Sequence, residues 1–294
     1  MRHWINGLLA CLITITVLGC GGGGRASNAL PNPAPNPSPS PNPGGSRNLA
    51  FEVYMTNLTI GQPISPPAIF LHREGYNAFL DGRPASRPIE LIAEAGARSE
   101  LLNEIMESGR LLATHSSGGV IRPAQKGPID QLSFSANAAG NPRTVRITAV
   151  TMLESTNDAF TGVNAVDVSD MVVGETRILD GFTWDAGTEA NTETAATVPG
   201  PGIGGRGFSS ERDDHINRVR FHQGVVTSLG ESGIPNSALT DEHRFDNPSS
   251  LVTIRRVEYP QDHWSVMFMR KGAATDKSPT GIANTGYSGI ISNR

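Results

Sequence analysis

Apolar positions along this chain recur mostly at every second residue, the period of a β-strand with one buried face. Residues 49–59 set Phe51, Val53 and Met55 on one face and read as a first strand. Pro63, Pro66 and Pro67 then forbid a helix, and an extended segment leads into Ile69-Phe70-Leu71-His72. Residues 129–136 and 143–153 predict two further strands on either side of the turn Ala139-Gly140-Asn141-Pro142. Residues 163–168 and 171–179 predict a hairpin-like pair. Residues 251–259 predict the strand that closes the fold, and residues 263–269 add one more apolar, strand-like run. The exception is residues 88–109. There Ile89, Ile92, Leu101, Leu102, Ile105 and Met106 recur at helical spacing, Pro88 suits a first turn, and Gly96 divides the stretch into two short helices. The pattern as a whole predicts a mainly β protein with a short helical insertion over one face or end.

Composition supports this reading and narrows the function. With 33 Gly and 21 Pro the chain is loop-rich, as a many-stranded fold requires. A net charge of -4 and the lack of a long Lys/Arg run argue against nucleic acid as a partner. The first residues are a targeting segment. Residues 8–18 form an apolar run too short to span a bilayer, which needs about 20 residues. The run ends at Val17-Leu18-Gly19-Cys20, which resembles the bacterial lipobox, with cleavage before Cys20 and lipid on its sulfur. On this reading residues 1–19 are a signal peptide. Residues 20–48, rich in Pro, Gly, Asn and Ser, are a lipidated tether of extended, polyproline-like character. Residues 49–260 form the folded domain, and residues 261–294 carry a last strand and a small, polar, loosely held tail. Cys11 leaves with the signal peptide and Cys20 is acylated, so no disulfide staples the domain. The expected location is the bacterial cell envelope, lipid-anchored at the outer membrane.

Chemistry is sparse. Gly-x-Ser-x-Gly and His-Glu-x-x-His are absent, and one mature cysteine excludes Cys-x-x-Cys. His72 has no second His at ligand spacing and reads as a structural residue. Asp213, Asp214, His215 and His222 can be drawn as a zinc site, but a solvated loop accounts for them better. Gly200-Pro201-Gly202-Ile203-Gly204-Gly205 neither follows a clear strand nor opens a helix, so it is no phosphate loop. Two acidic stretches remain, residues 154–162 and 180–189. Each follows an apolar, β-branched run and is rich in Asp, Asn, Thr and Gly. Oxygen ligands gathered at strand ends suit a hard cation such as calcium, although the same residues are ordinary turn formers.

A resemblance decides between these readings. Ser155-Thr156-Asn157-Asp158-Ala159-Phe160-Thr161-Gly162 and Trp184-Asp185-Ala186-Gly187-Thr188-Glu189 resemble the two signature loops of the spondin N-terminal domain family, found in F-spondin, mindin and many bacterial secreted proteins. Val53-Tyr54-Met55-Thr56-Asn57-Leu58-Thr59 with Gly61-Gln62-Pro63, and His72 leading into Gly82-Arg83-Pro84-Ala85-Ser86, agree with it, and the likeness runs in order over residues 49–259. The resemblance implies a C2-like antiparallel β-sandwich that binds calcium and serves extracellular adhesion or ligand binding rather than catalysis. It implies Asp158, Asp180 and Asp185 as carboxylate ligands, with Asn157 completing the shell. Glu189 stands where the animal domains have Asp. The expected partners are the membrane, through the anchor, and an extracellular protein or glycan. A carbohydrate-active or other enzyme with an unrecognised site, and a purely structural envelope protein, are the competing functions.

Overall fold

The computed structural model describes residues 48–115, 118–135, 142–229 and 232–260. Cys20, the signal and tether segments up to residue 47, the apolar run 263–269 and the C-terminal tail lie outside the described residues. The chain is built from β1 (Leu49–Asn57), β2 (Ala68–Arg73), α1 (Arg87–Ala95), α2 (Ser99–Glu107), β3 (Leu111–Thr114), β4 (Asp130–Phe134), β5 (Val145–Met152), β6 (Ala159–Asp167), β7 (Thr176–Asp185), β8 (Arg220–Phe221) and β9 (Ser250–Val257). The strands run in the order β3-β2-β5-β6-β7-β9-β1-β4, with β8 added beside β7. Every neighbouring pair is antiparallel. The fold is therefore mainly antiparallel β with two short helices, folded on itself as a sandwich that is nearly closed.

Strand β7 is the corner of the structure. Its first half, Thr176 to Gly181, pairs with β9, and its second half pairs with β6 and β8. Between the two layers lies the main core, including Phe51, Val53, Met55, Ile69, Leu71, Leu132, Ile147, Val252 and Ile254. These are the inward positions of the period-two pattern, and each such side chain contributes about 1.5–3 kcal/mol when fully buried. A second core forms on the outer face of the β2–β5–β6 layer, where α1 and α2 lay Ile89, Ile92, Leu101 and Ile105 over Phe70, Val150 and Phe160. Gly96, at φ 62°, ends α1 in the left-handed conformation. The two helices expected from the sequence are thus a lid on one sheet.

Sequence and structure part where the acidic stretches begin. Ala159 to Gly162 and Asp180 to Asp185 are paired strand rather than loop. Alternation explains it: Gly181, Thr183 and Asp185 are buried while Asp180 and Phe182 face outward. What remains as loop at this end is residues 153–158 and the long excursion 186–249, which holds β8 and a small core of its own around Val198, Val225 and Leu239. Residue 48 and Val257 lie at the opposite end of the sandwich, since Ala50 pairs with Val257 and Asn57 with Ser250.

Candidate functional site

The site is assembled at the end where β5 passes into β6 and β7 leaves the sheet. Beneath it, Asn57 is a buried clamp. Its amide donates to the carbonyls of Gln62 (2.7 Å) and Ile121 (3.0 Å), and its Oδ1 accepts from the backbone and hydroxyl of Thr59. Gln62 in turn holds the first acidic loop: its Nε2 donates to Ser155 O (3.0 Å), and Ser155 N donates to Gln62 Oε1 (3.1 Å). The Asn57–Thr59–Gln62 pattern is therefore scaffold for the loop that carries Asn157 and Asp158.

The second loop is shaped by Asp185 and Gly187. Gly187 N donates to Asp185 Oδ1 at 2.8 Å. Gly187 sits at φ 70°, and a Cβ there would meet Arg218 N at 2.4 Å, so only glycine fits. The turn aims the next residues at Asp158, whose Oδ2 accepts from Thr188 N (2.7 Å), Thr188 Oγ1 (3.2 Å) and Glu189 N (3.1 Å). Asp185 is already satisfied: its Oδ2 accepts from Asn191 Nδ2 (2.7 Å) and forms an ion pair with Arg220 (2.9 Å). Arg220 also pairs with Asp214 at 2.7 Å.

One oxygen on each of three buried carboxylates has no hydrogen-bond partner: Asp158 Oδ1, Glu189 Oε2 and Glu94 Oε1. Asp158 is 0% exposed, and Glu94 and Glu189 are each 1% exposed. Glu94 comes from the last turn of α1, where its other oxygen accepts from Ser209 N at 2.8 Å. Burial, opposed in part by the Ser209 N–H and the Thr188 hydroxyl, pushes the Glu94 carboxyl up to about 7, with the charges of Glu90 and Asp158 adding to the rise. Burial, then the charge of Glu94, pushes Glu189 up to about 7 against the pull of Arg206, and Asp158 adds to it. Asp158 is raised by burial and by the charge of Asp185, in spite of the donors from Thr188 and Glu189. These three acids thus sense one another; Arg206 lies 3.3 Å from Glu189, and the charges of Arg212 and Arg220 reach Glu94 and Asp158.

The residues expected from the sequence are therefore only partly brought together. Asp158 and Glu189 share the cluster, and Asn157 lies beside it, its Oδ1 accepting from Glu193 N at 3.1 Å. Asp185 touches it electrostatically but is engaged by Arg220 and Asn191. Asp180 is exposed on the outer face of β7, in the row opposite to Asp185, so it does not reach the cluster. Glu94 is the residue that sequence reasoning missed. It lies some 60 positions before the first acidic loop, on a helix, and only the tertiary contact with Ser209 and Thr188 identifies it.

Among the described residues, no three His, Cys, Asp or Glu side chains are drawn together as a ready metal-binding group. The fit to a cation rests instead on the three orphaned carboxylate oxygens. Their hard-oxygen chemistry suits calcium, and a buried carboxylate without a partner for each oxygen is costly. His222 is buried against Phe245 and held near 4 by desolvation, with Arg220 adding to the fall, while His215 is exposed. Asp214 is committed to Arg220, so these residues form no zinc site. His72 is fully buried, its ring nitrogens bonded to Arg73 O (2.8 Å) and Thr148 Oγ1 (3.0 Å). Compared with known protein families and with curated proteins, the chain matches none.

Proposed function

We propose that this chain is a calcium-binding, spondin-like module, displayed from the cell envelope by a lipid on Cys20, that serves adhesion or ligand binding. The observation that carries the reading is the trio of orphaned oxygens on Glu94, Asp158 and Glu189. Those three residues, rather than Asp180, would hold the ion, with Asn157 beside them; when bound, the ion supplies positive charge that ties the two acidic loops to helix α1. Three carboxylates that repel one another in the absence of a cation make the loops calcium-dependent. Their depth favours ion binding over acid–base catalysis, because a substrate has no access to oxygens that are wholly buried. The described chain enters β1 at the end remote from the site, and the expected partner of the acidic end is an extracellular protein or glycan.

Calorimetry on chelator-stripped protein tests the proposal. Calcium should bind with a dissociation constant of roughly 10⁻⁴–10⁻³ M, the range of extracellular modules. Magnesium should bind far more weakly, and Asp158→Asn should abolish the heat. No calcium binding by the wild-type protein would leave these loops as ordinary turns.

A further inference from the structure

A chain of aromatic rings leaves the core beside the acidic loops and ends in solvent. Phe160, fully buried, meets Phe79 edge to face at 4.9 Å, and Phe79 packs on Trp184 at 5.4 Å. Phe221 on β8 stacks on Trp184 at 4.4 Å, and Phe182 meets Phe221 edge to face at 5.8 Å. The last two rings are open: Phe221 is 57% exposed and Phe182 39%. Exposed rings braced in this way hold their orientation without a partner, so little freedom is lost when one arrives. The acidic end lies next to them, since Trp184 pairs with Phe221 and the adjoining pair is Asp185 with Arg220.

The rim decides what fits. Asp180 faces outward two residues before Phe182 and ends the apolar row with a carboxylate. On the β8 edge of β7, Thr183 O accepts from His222 N at 3.1 Å, and Thr183 N donates to Oδ1 of exposed Asn247 at 2.7 Å. Asn247 thus stands beside β8 with an amide group at the rim. Two half-exposed rings, each with about 150–250 Å² to bury in all, fall well short of the roughly 800 Å² per partner of a stable protein interface. A pyranose matches them in size and in chemistry. Its faces carry C–H groups, which the negative face of an aromatic ring attracts, and its rim carries hydroxyls that both donate and accept. We propose that Phe221 and Phe182, with Asp180 and Asn247 at their edge, bind a sugar ring of a neutral glycan. Asp180 repels an acidic sugar, which selects a neutral one. This ligand class rests on the reading of the chain as a binding module, but not on the ion.

Calorimetric titration of the full chain with cellohexaose, chitohexaose and maltohexaose, in the presence of calcium, tests this. At least one of the three should bind, and Phe221→Ala and Phe182→Ala should each weaken that binding by about tenfold or more. Ile178→Ser, on the same face beyond Asp180, should leave it unchanged. Both rings are open to solvent, so the two variants should melt close to the wild type, and Phe182→Ala keeps the test alive if Phe221→Ala does not fold. No binding of any of the three sugars overturns the proposal; calcium heat in the same samples then shows that the ion site stands by itself. Sugar binding that both ring variants retain in full also overturns it. So does sedimentation showing a wild-type dimer that Phe221→Ala dissociates, since a second copy would then cover the rings.

Discussion

Glu94, Asp158 and Glu189 are unusual in being buried, acidic and each short of one partner. Glu94→Gln is expected to abolish the calcium response while leaving the metal-free protein as stable or more so, because it removes one of three repelling charges. Asp180→Asn, on the exposed row of β7, should leave calcium binding unchanged in the same titration. The site also sets a pH dependence. Glu94 and Glu189 titrate near 7 in the folded chain, above their ordinary range, so the folded state holds more protons than the unfolded one between about 4.5 and 7. The contribution of these two acids to the stability of the metal-free protein is thus full at the acid side of that window and falls as pH rises through it, while buried His222, held near 4, contributes in the opposite sense. Calcium should flatten the slope. Denaturant titrations of the wild-type protein and of Glu94→Gln at pH 5 and pH 7.5, with and without calcium, read this directly; a difference between the two metal-free proteins that does not change with pH would contradict it. Gly187→Ala is expected to cost more than about 1 kcal/mol, because the alanine would both strain a positive φ and strike the Arg218 backbone.

At the scale of elements, the long β-strands and the broken helix pair were legible because their periods extend over six to nine residues each. β1, β2, β5, β9, α1 and α2 all fall within the stretches that the hydrophobic pattern marks. The two short strands β3 and β8 were not, since four and two residues respectively are too few to show a period. The start of β6 and the end of β7 were hidden for a different reason. Asp, Asn, Thr and Gly read as turn residues locally, yet Gly162 and Gly181 are there because neighbouring strands approach closely: a Cβ on Gly162 would lie 1.9 Å from Ala149 O, and one on Gly181 2.0 Å from Ser250 Oγ. Half of the site was legible for the same kind of reason. Asp158 and Glu189 stand in contiguous motifs, whereas Glu94 joins them only through the packing of α1 beneath residues 206–212. That packing is itself fixed by Arg212, which makes two 2.9 Å bonds to Glu90 on α1. The clamp at Asn57 belongs to this scale too. Asn57→Ala would remove four hydrogen bonds and leave Thr59 N without its acceptor, while Gln62 O keeps the Thr59 hydroxyl and Ile121 O keeps Ile64 N, and is expected to cost about 1–3 kcal/mol in denaturant titration.

The described domain is a two-layer β-sandwich with a helical lid on one face, its acidic loops at one end and the start of β1 at the other. For the proposed anchor, Cys20→Ser should release the protein from the membrane fraction, and equal partitioning of wild type and variant into detergent would contradict lipidation. At millimolar calcium, an affinity of roughly 10⁻⁴–10⁻³ M stabilises the domain by only about 0.4–1.4 kcal/mol. The ion is therefore expected to act on loop order near the site more than on the stability of the sandwich, whose core is supplied by the strands. The most direct measurement is diffraction from the calcium-loaded protein. An ion bound by Glu94, Asp158 and Glu189, at oxygen distances of about 2.3–2.6 Å, is the result this account predicts. Calcium bound through Asp180 on the outer face of β7, or no ion at millimolar calcium, would contradict it.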